Sequence, residues 1–218
     1  MKTRLLIIAC LLATSSAQAA TAEEYMAQMR AAVQGATGAL PQAAAPAGSI
    51  EVGFSDHTTH SAEALVLKAI GSAHSSIKIA AYSFTSATVT QALLNAIHRG
   101  VQVWMIVDMK NNLEQSGSRR AVTAFNALAE AGAHINVVGS YPIHHNKFIV
   151  VDDTSVETGS FNYSRAAAES NAENALVMWG NPSIAAIYAN EWVKLFKEGQ
   201  PYQVGSVQPR ESGGGTEF

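Results

Sequence analysis

The sequence predicts an α/β layer fold built on a mixed β-sheet, and three observations carry that prediction. Strand-like and helix-like segments alternate from about residue 50 to about residue 199. Val101 to Asp108 is a continuous apolar run, as expected of a strand covered on both faces. Phe148 to Val151 and Ser155 to Thr158 flank Asp152-Asp153-Thr154, the pattern of a hairpin. The early strands are therefore expected to be parallel and a later pair antiparallel.

Each element has a local reason. Ile50 to Phe54 reads as a strand, followed by a helix over Ser61 to Ser72. Ser76 to Tyr82 is the next strand, and Val89, Leu93 and Ile97 then recur at helical spacing up to Gly100. After the apolar strand, Val122, Phe125 and Leu128 mark a helix that ends at Gly132, and His134 to Val138 returns to the sheet. Beyond the hairpin, Asn174 to Trp179 is a late strand. Pro182 opens a closing helix whose apolar face holds Ile184, Ile187, Tyr188, Trp192, Leu195 and Phe196.

The two ends read differently. Lys2 and Arg4 precede an apolar run from Leu5 to Ala13 and a small-residue Ala17-Gln18-Ala19 site, the pattern of a cleavable signal peptide over residues 1–19. The expected location is secreted or periplasmic. Cleavage would remove the only cysteine, Cys10, and with it any thiol chemistry. Residues 20–48 form an Ala/Pro/Gly-rich linker, residues 50–199 the folded domain, and residues 200–218 a flexible tail. With 48% apolar and 14% charged residues, the chain can bury a core. A net charge of −3 excludes a generally basic nucleic-acid coat and leaves room only for a local basic groove. No apolar run is long enough to span a bilayer.

The chemistry concentrates in His144-His145-Asn146-Lys147-Phe148-Ile149-Val150-Val151-Asp152 and, six residues later, Gly159-Ser160-Phe161-Asn162. In an extended segment His145 and Lys147 leave the same face, whereas Asp152 has the opposite parity and is expected to support the strand from behind. Imidazole can attack phosphorus or pass protons near neutral pH, lysine supplies a cation for phosphate oxygens, and Asn and Ser add neutral donors. Read from the residues alone, the set suits an anionic phosphorus centre, while a His and a Lys two apart are also common surface residues.

His145-x-Lys147-x4-Asp152-x6-Gly159-Ser160-x-Asn162 resembles the HKD signature of the phospholipase D superfamily. With the leader, the single motif copy and the continuation Glu173-Asn174-Ala175, it resembles most closely the secreted bacterial endonuclease branch. The resemblance implies an α/β/α sandwich and metal-independent phosphodiester cleavage through a phosphohistidine, with no cofactor. It assigns His145 as nucleophile or general acid, Lys147 and Asn162 to the phosphate oxygens, and Glu173 to a hydrogen bond that fixes the histidine tautomer. Ser160 would line the pocket and Asp152 would be a structural partner.

That reaction needs two histidines on opposite sides of one phosphorus, and His57, His60, His74, His98 and His134 all lack the following lysine. The second histidine is therefore expected from another copy of the chain, in a two-fold homodimer with a composite site. The expected substrate is nucleic acid, DNA with RNA as a further candidate, cut with little sequence specificity. Two alternatives stand beside it. One is a phospholipase D or phosphatidyl transferase on the same chemistry; the other is a non-cleaving nucleic-acid-binding, conjugation-accessory protein. A metal site on His144, His145, Asp152 and Asp153 is disfavoured, because adjacent strand residues point apart. Lys110, Arg119, Arg120 and Arg165 could line a nucleic-acid groove, with Phe161 or Tyr163 available for stacking, or could be an ordinary solvated cluster.

Overall fold

The computed structural model describes residues 46–56, 58–114 and 118–205. The expected signal peptide, nearly all of the linker, His57 and residues 206–218 lie outside them. Eight strands are described: β1 (Ile50–Ser55), β2 (Ser76–Ala81), β3 (Gln102–Asp108), β4 (His134–Val138), β5 (Lys147–Val151), β6 (Ser155–Gly159), β7 (Glu173–Met178) and β8 (Gln200–Pro201). The helices are α1 (Ser61–Gly71), α2 (Ala87–His98), α3 (Ser118–Glu130), α4 (Arg165–Glu169) and α5 (Pro182–Glu198), with a π-turn at Lys110–Glu114.

The strands form one sheet in the order β1-β7-β6-β5-β2-β3-β4-β8. β2, β3 and β4 are parallel, and every other neighbouring pair is antiparallel. The α/β/α sandwich with a mixed sheet is thus observed. β1 departs from the expected parallel early set: it crosses to the far edge and pairs antiparallel with β7. Gln200–Pro201, assigned from sequence to the tail, pairs with β4. Tyr202 continues the contact, its N–H donating to the Ile135 carbonyl at 2.8 Å and its hydroxyl to Asn126 Oδ1 at 2.7 Å.

Strand alternation divides the core. Ile77, Ile79, Met105, Val107, Ile149 and Val151 face α1, α2 and α3. Ala80, Ile106, Phe148, Val150 and Val156 face α5, where Trp192 and Leu195 cover them. The Trp192 indole N–H donates to the Ile79 carbonyl at 2.8 Å and pins α5 to the sheet. Ile187, counted from periodicity on the apolar face of α5, is instead 63% exposed.

One polar pair lies within the apolar core. Glu157, only 1% exposed, stands between Ile149 and Val177 in the neighbouring strands. It accepts the Tyr163 hydroxyl at 2.8 Å. Burial pushes its carboxyl up to about 8, with the Tyr163 hydrogen bond pulling the other way. Phe161 and Tyr163 are both fully buried, so neither is available to stack on a base, contrary to the groove expected from sequence. Their burial anchors the turn that carries Asn162.

Candidate functional site

Five strand ends converge at one end of the sheet. β2 exits there toward Tyr82, β3 ends at Asp108, β5 enters at Lys147, β6 leaves at Gly159 and β7 enters at Glu173. The residues that carry chemistry are brought together by these ends.

His145 and Lys147 meet the same aromatic ring. The His145 imidazole lies 4.7 Å from the Tyr82 ring centroid at 63°, and the Lys147 ammonium lies 5.3 Å from that centroid. Lys147 is only 8% exposed, and its Nζ donates to the His145 carbonyl at 2.9 Å. Burial lowers its pKa, and the Glu173 carboxylate opposes that shift. An ammonium has three donors. Among the described residues only one is used, which leaves two for an incoming anion.

His144 goes the other way. It is buried at 2% exposure, and its backbone N–H donates to Asp108 Oδ2 at 2.7 Å. Burial lowers the His144 pKa against the opposing pull of Asp108. The other Asp108 oxygen accepts the Asn111 N–H at 2.7 Å. His144 is thus buried while His145 is exposed. Among the described residues no group of three or more His, Cys, Asp or Glu side chains converges on a metal-sized site. His60 is engaged elsewhere, its Nδ1 lying 2.8 Å from the Ala168 carbonyl oxygen.

The second motif half is built on a close approach of backbones. A Cβ at Gly159 would lie 2.3 Å from the Asn174 carbonyl oxygen, so β6 and β7 can meet there only around glycine. The Ser160 hydroxyl then donates to Glu173 Oε2 at 2.5 Å and accepts the Asn174 N–H at 3.0 Å. Asn171 donates to the other Glu173 oxygen at 2.9 Å. In the single chain the Glu173 carboxylate is therefore engaged by Ser160 and Asn171. Asn162 follows two residues beyond Ser160, half-buried, its Oδ1 enclosed and without a hydrogen-bond partner among the described residues.

Asp152 stands apart from this group. β5 pairs Lys147 with Ala81 at one end and Val151 with Ile77 at the other, so Asp152 lies about 17 Å along the strand from Lys147. Its carboxylate accepts the backbone N–H groups of His74, Ser75 and Ser76 at 2.8–2.9 Å, together with the Ser75 hydroxyl at 2.8 Å. Burial alone would raise its pKa; these four donors outweigh it and hold the carboxyl below its usual range.

Sequence reasoning missed Tyr82, Asp108 and Asn112. Asn112, 1% exposed in the π-turn, donates to the Tyr82 carbonyl at 2.7 Å and the Asp108 carbonyl at 2.8 Å, and its Oδ1 accepts the Phe84 N–H at 2.9 Å. It thereby fixes the segment that presents the Tyr82 ring. The available signal was positional, since Tyr82 and Asp108 both stand at the carboxyl ends of strands in the parallel part of the sheet. An open cleft of about 590 Å³ borders the site, lined by His145, Lys147, Phe148, Thr158, Gly159 and Ile187 among others.

The family described as "Cardiolipin synthase, PLD-like domain" matches residues 66–196. The "Phospholipase D" of Rickettsia conorii is 36% identical over 124 residues, 57% of this chain and 58% of that protein. The "Mitochondrial cardiolipin hydrolase" of Xenopus laevis is 32% identical over 145 residues, 66% of this chain and 65% of that protein. The chain thus spans less than two thirds of the length of these curated relatives. The crystal structure of Nuc from Salmonella typhimurium, a phospholipase D family member, superposes with a TM-score of 0.67 at 39% identity, covering 71% of this chain and 98% of that one.

Proposed function

The chain belongs to the phospholipase D superfamily, and from that premise we propose that it is an exported, metal-independent endonuclease working as a homodimer. The observation that carries this reading is the approach of both His145 and Lys147 to the Tyr82 ring, at the edge of an open cleft. The Lys147 ammonium holds non-bridging phosphate oxygens with its two free donors, and the Asn162 amide adds a neutral one. An imidazole nitrogen of His145 attacks phosphorus, forming a P–N bond as the bond to the leaving oxygen breaks. The His145 of a second copy gives its proton to that oxygen. It then takes a proton from the water that cleaves the P–N bond, which releases the phosphate and frees the first imidazole.

One chain carries one such histidine beside a lysine, so the two-fold pair completes the site. Glu173 and Ser160 brace the turn below the phosphate. The substrate is DNA, with RNA a further candidate, cut with little sequence specificity because the site grips the phosphate rather than a base. The signal-like leader supports export. A phosphatidyl substrate is the second reading, favoured by the exposed Ile187 on the wall of the cleft.

The test is cleavage of plasmid DNA by the processed protein in excess chelator, beside a cardiolipin or phosphatidylcholine substrate, with His145→Ala as control. Cutting of DNA by wild type but not by His145→Ala is the expected result. Loss of cutting on chelation, restored by a divalent ion, overturns the mechanism. Lipid turnover without DNA cutting overturns the substrate.

A further inference from the structure

The arginines at the start of α3 are oriented against local electrostatics. The amino end of a helix carries partial positive charge and favours acidic side chains. Arg119 and Arg120 occupy the first turn of α3, which has no acidic residue, and both are exposed. Among the described residues neither is paired with a carboxylate. The first turn of α2 also lacks an acid, and its Ala87 borders the same hollow.

That hollow has a volume of about 500 Å³. Its walls are Thr85, Ala87, Thr90, Arg119, Arg120 and Thr123, with Gln91, Ala124 and Ala127, and contain no carboxylate. This is unexpected in a chain with more acidic than basic residues. Two guanidinium groups and two helix amino ends therefore border one concave surface whose described walls hold no carboxylate. Arg165, grouped with these residues from sequence, differs, because Glu169 neutralises it at 2.6 Å. Arg165 and Glu169 line an adjoining hollow that also holds Glu63 and shares Arg120, so of the two hollows only the one that Arg119 and Arg120 both line has no carboxylate in its walls.

Thr85 connects this surface to the site. It lines the hollow, follows Tyr82 by three residues, and donates its N–H to the carbonyl of Tyr163, the neighbour of Asn162, at 2.8 Å. Three residues reach at most about 11 Å. At a strand rise of about 3.4 Å per nucleotide, Thr85 therefore lies within about three nucleotides of Tyr82.

We propose that the Arg119/Arg120 hollow is a subsite for backbone phosphates of a polynucleotide flanking the scissile bond. The assignment rests on the nucleic-acid reading above. It makes substrate length, rather than base identity, the property the subsite recognises. Arginine suits the task because its planar fork grips phosphate oxygens in pairs.

The test compares wild type with Arg119→Ala/Arg120→Ala and Arg119→Glu/Arg120→Glu, all checked by thermal unfolding. Substrates are a single-stranded oligonucleotide of some thirty nucleotides and bis(4-nitrophenyl) phosphate, which is too small to reach the hollow. The expected result is an unchanged rate on the small diester and a raised KM on the oligonucleotide, with the glutamate pair worse than the alanine pair. Binding measured in the His145→Ala background should lose about 1.4 from the slope of log Kd against log salt, the share of two single-strand phosphates. An unchanged slope in a folded variant, or an equal fall on both substrates, overturns the subsite. Variants that lose adhesion to cardiolipin vesicles while binding the oligonucleotide normally assign the hollow to a lipid surface instead. A wild type that hydrolyses the small diester but neither binds nor cuts the oligonucleotide overturns the nucleic-acid reading itself, and the subsite with it.

Discussion

Replacing Glu157 by Gln should flatten the dependence of stability on pH. The Glu157 carboxyl sits in the core with Tyr163, and burial raises it from 4.5 to about 8. Below 4.5 both folded and unfolded chains hold the proton, and the folded state has its full stability. Between 4.5 and about 8 the folded chain keeps a proton that the unfolded chain releases, so stability falls as pH rises. The slope is about 1.4 kcal/mol per pH unit, and the whole loss approaches about 5 kcal/mol once pH passes the folded value. Glutamine keeps an acceptor for the Tyr163 hydroxyl and cannot ionise. Its extra N–H shifts the variant by a constant amount without altering the slope. Urea unfolding of both proteins from about pH 5 to about pH 8 should show their difference moving in favour of the variant by about 4 kcal/mol. Curves that stay parallel within about 1 kcal/mol would refute the reasoning, since they would mean that Glu157 ionises alike in both states.

Three further outcomes follow from the geometry. Tyr82→Phe should keep turnover, because the ring, not the hydroxyl, is what Lys147 and His145 approach. Tyr82→Leu should lose about tenfold in kcat on bis(4-nitrophenyl) phosphate with the fold intact, the equivalent of about 1–2 kcal/mol of cation–π and ring contact. Asp152→Ala should lose about 2–3 kcal/mol at neutral pH by unfolding assay, while turnover per folded molecule is kept. Because the folded carboxyl is held low, that deficit should shrink as acid protonates it in wild type; an inactive but fully stable variant would contradict its placement. Co-refolding equal amounts of wild type and His145→Ala, with subunit exchange verified by two tags, should leave about a quarter of the activity if each site draws one histidine from each chain. A fall to only about half would indicate independent protomers.

Most of the elements were legible because their apolar spacing is regular, as in Val89, Leu93 and Ile97 or the run from Val101 to Asp108. The motif residues were legible from their types and spacing, but parity is not what separates Asp152, which lies in a turn beyond β5. The length of the strand between Lys147 and Asp152 sets the aspartate past the opposite end of β5. Tyr82 was missed because its importance comes from the pairing of β2 with β5, a contact between segments far apart in sequence. Phe161 and Tyr163 were misjudged for a related reason. Aromatic residues beside a polar motif look available for stacking, and only the packing beneath them shows that they are core. The crossing of β1 to the far edge left no local trace, since an edge strand reads like any other.

Strand order also governs when the site can assemble. Ile50 pairs with Met178, so the first strand of the sheet has no neighbour until β7 has been synthesised. Tyr82 likewise waits for Lys147, and Ser160 for Glu173. Loop closure over such separations is slow and yields no stability until both ends are present. A nascent chain that has made β2, β3 and β4 holds a parallel half-sheet with no Lys147 and no Glu173. Strand order alone therefore keeps the residues of the site apart until most of the chain has been made.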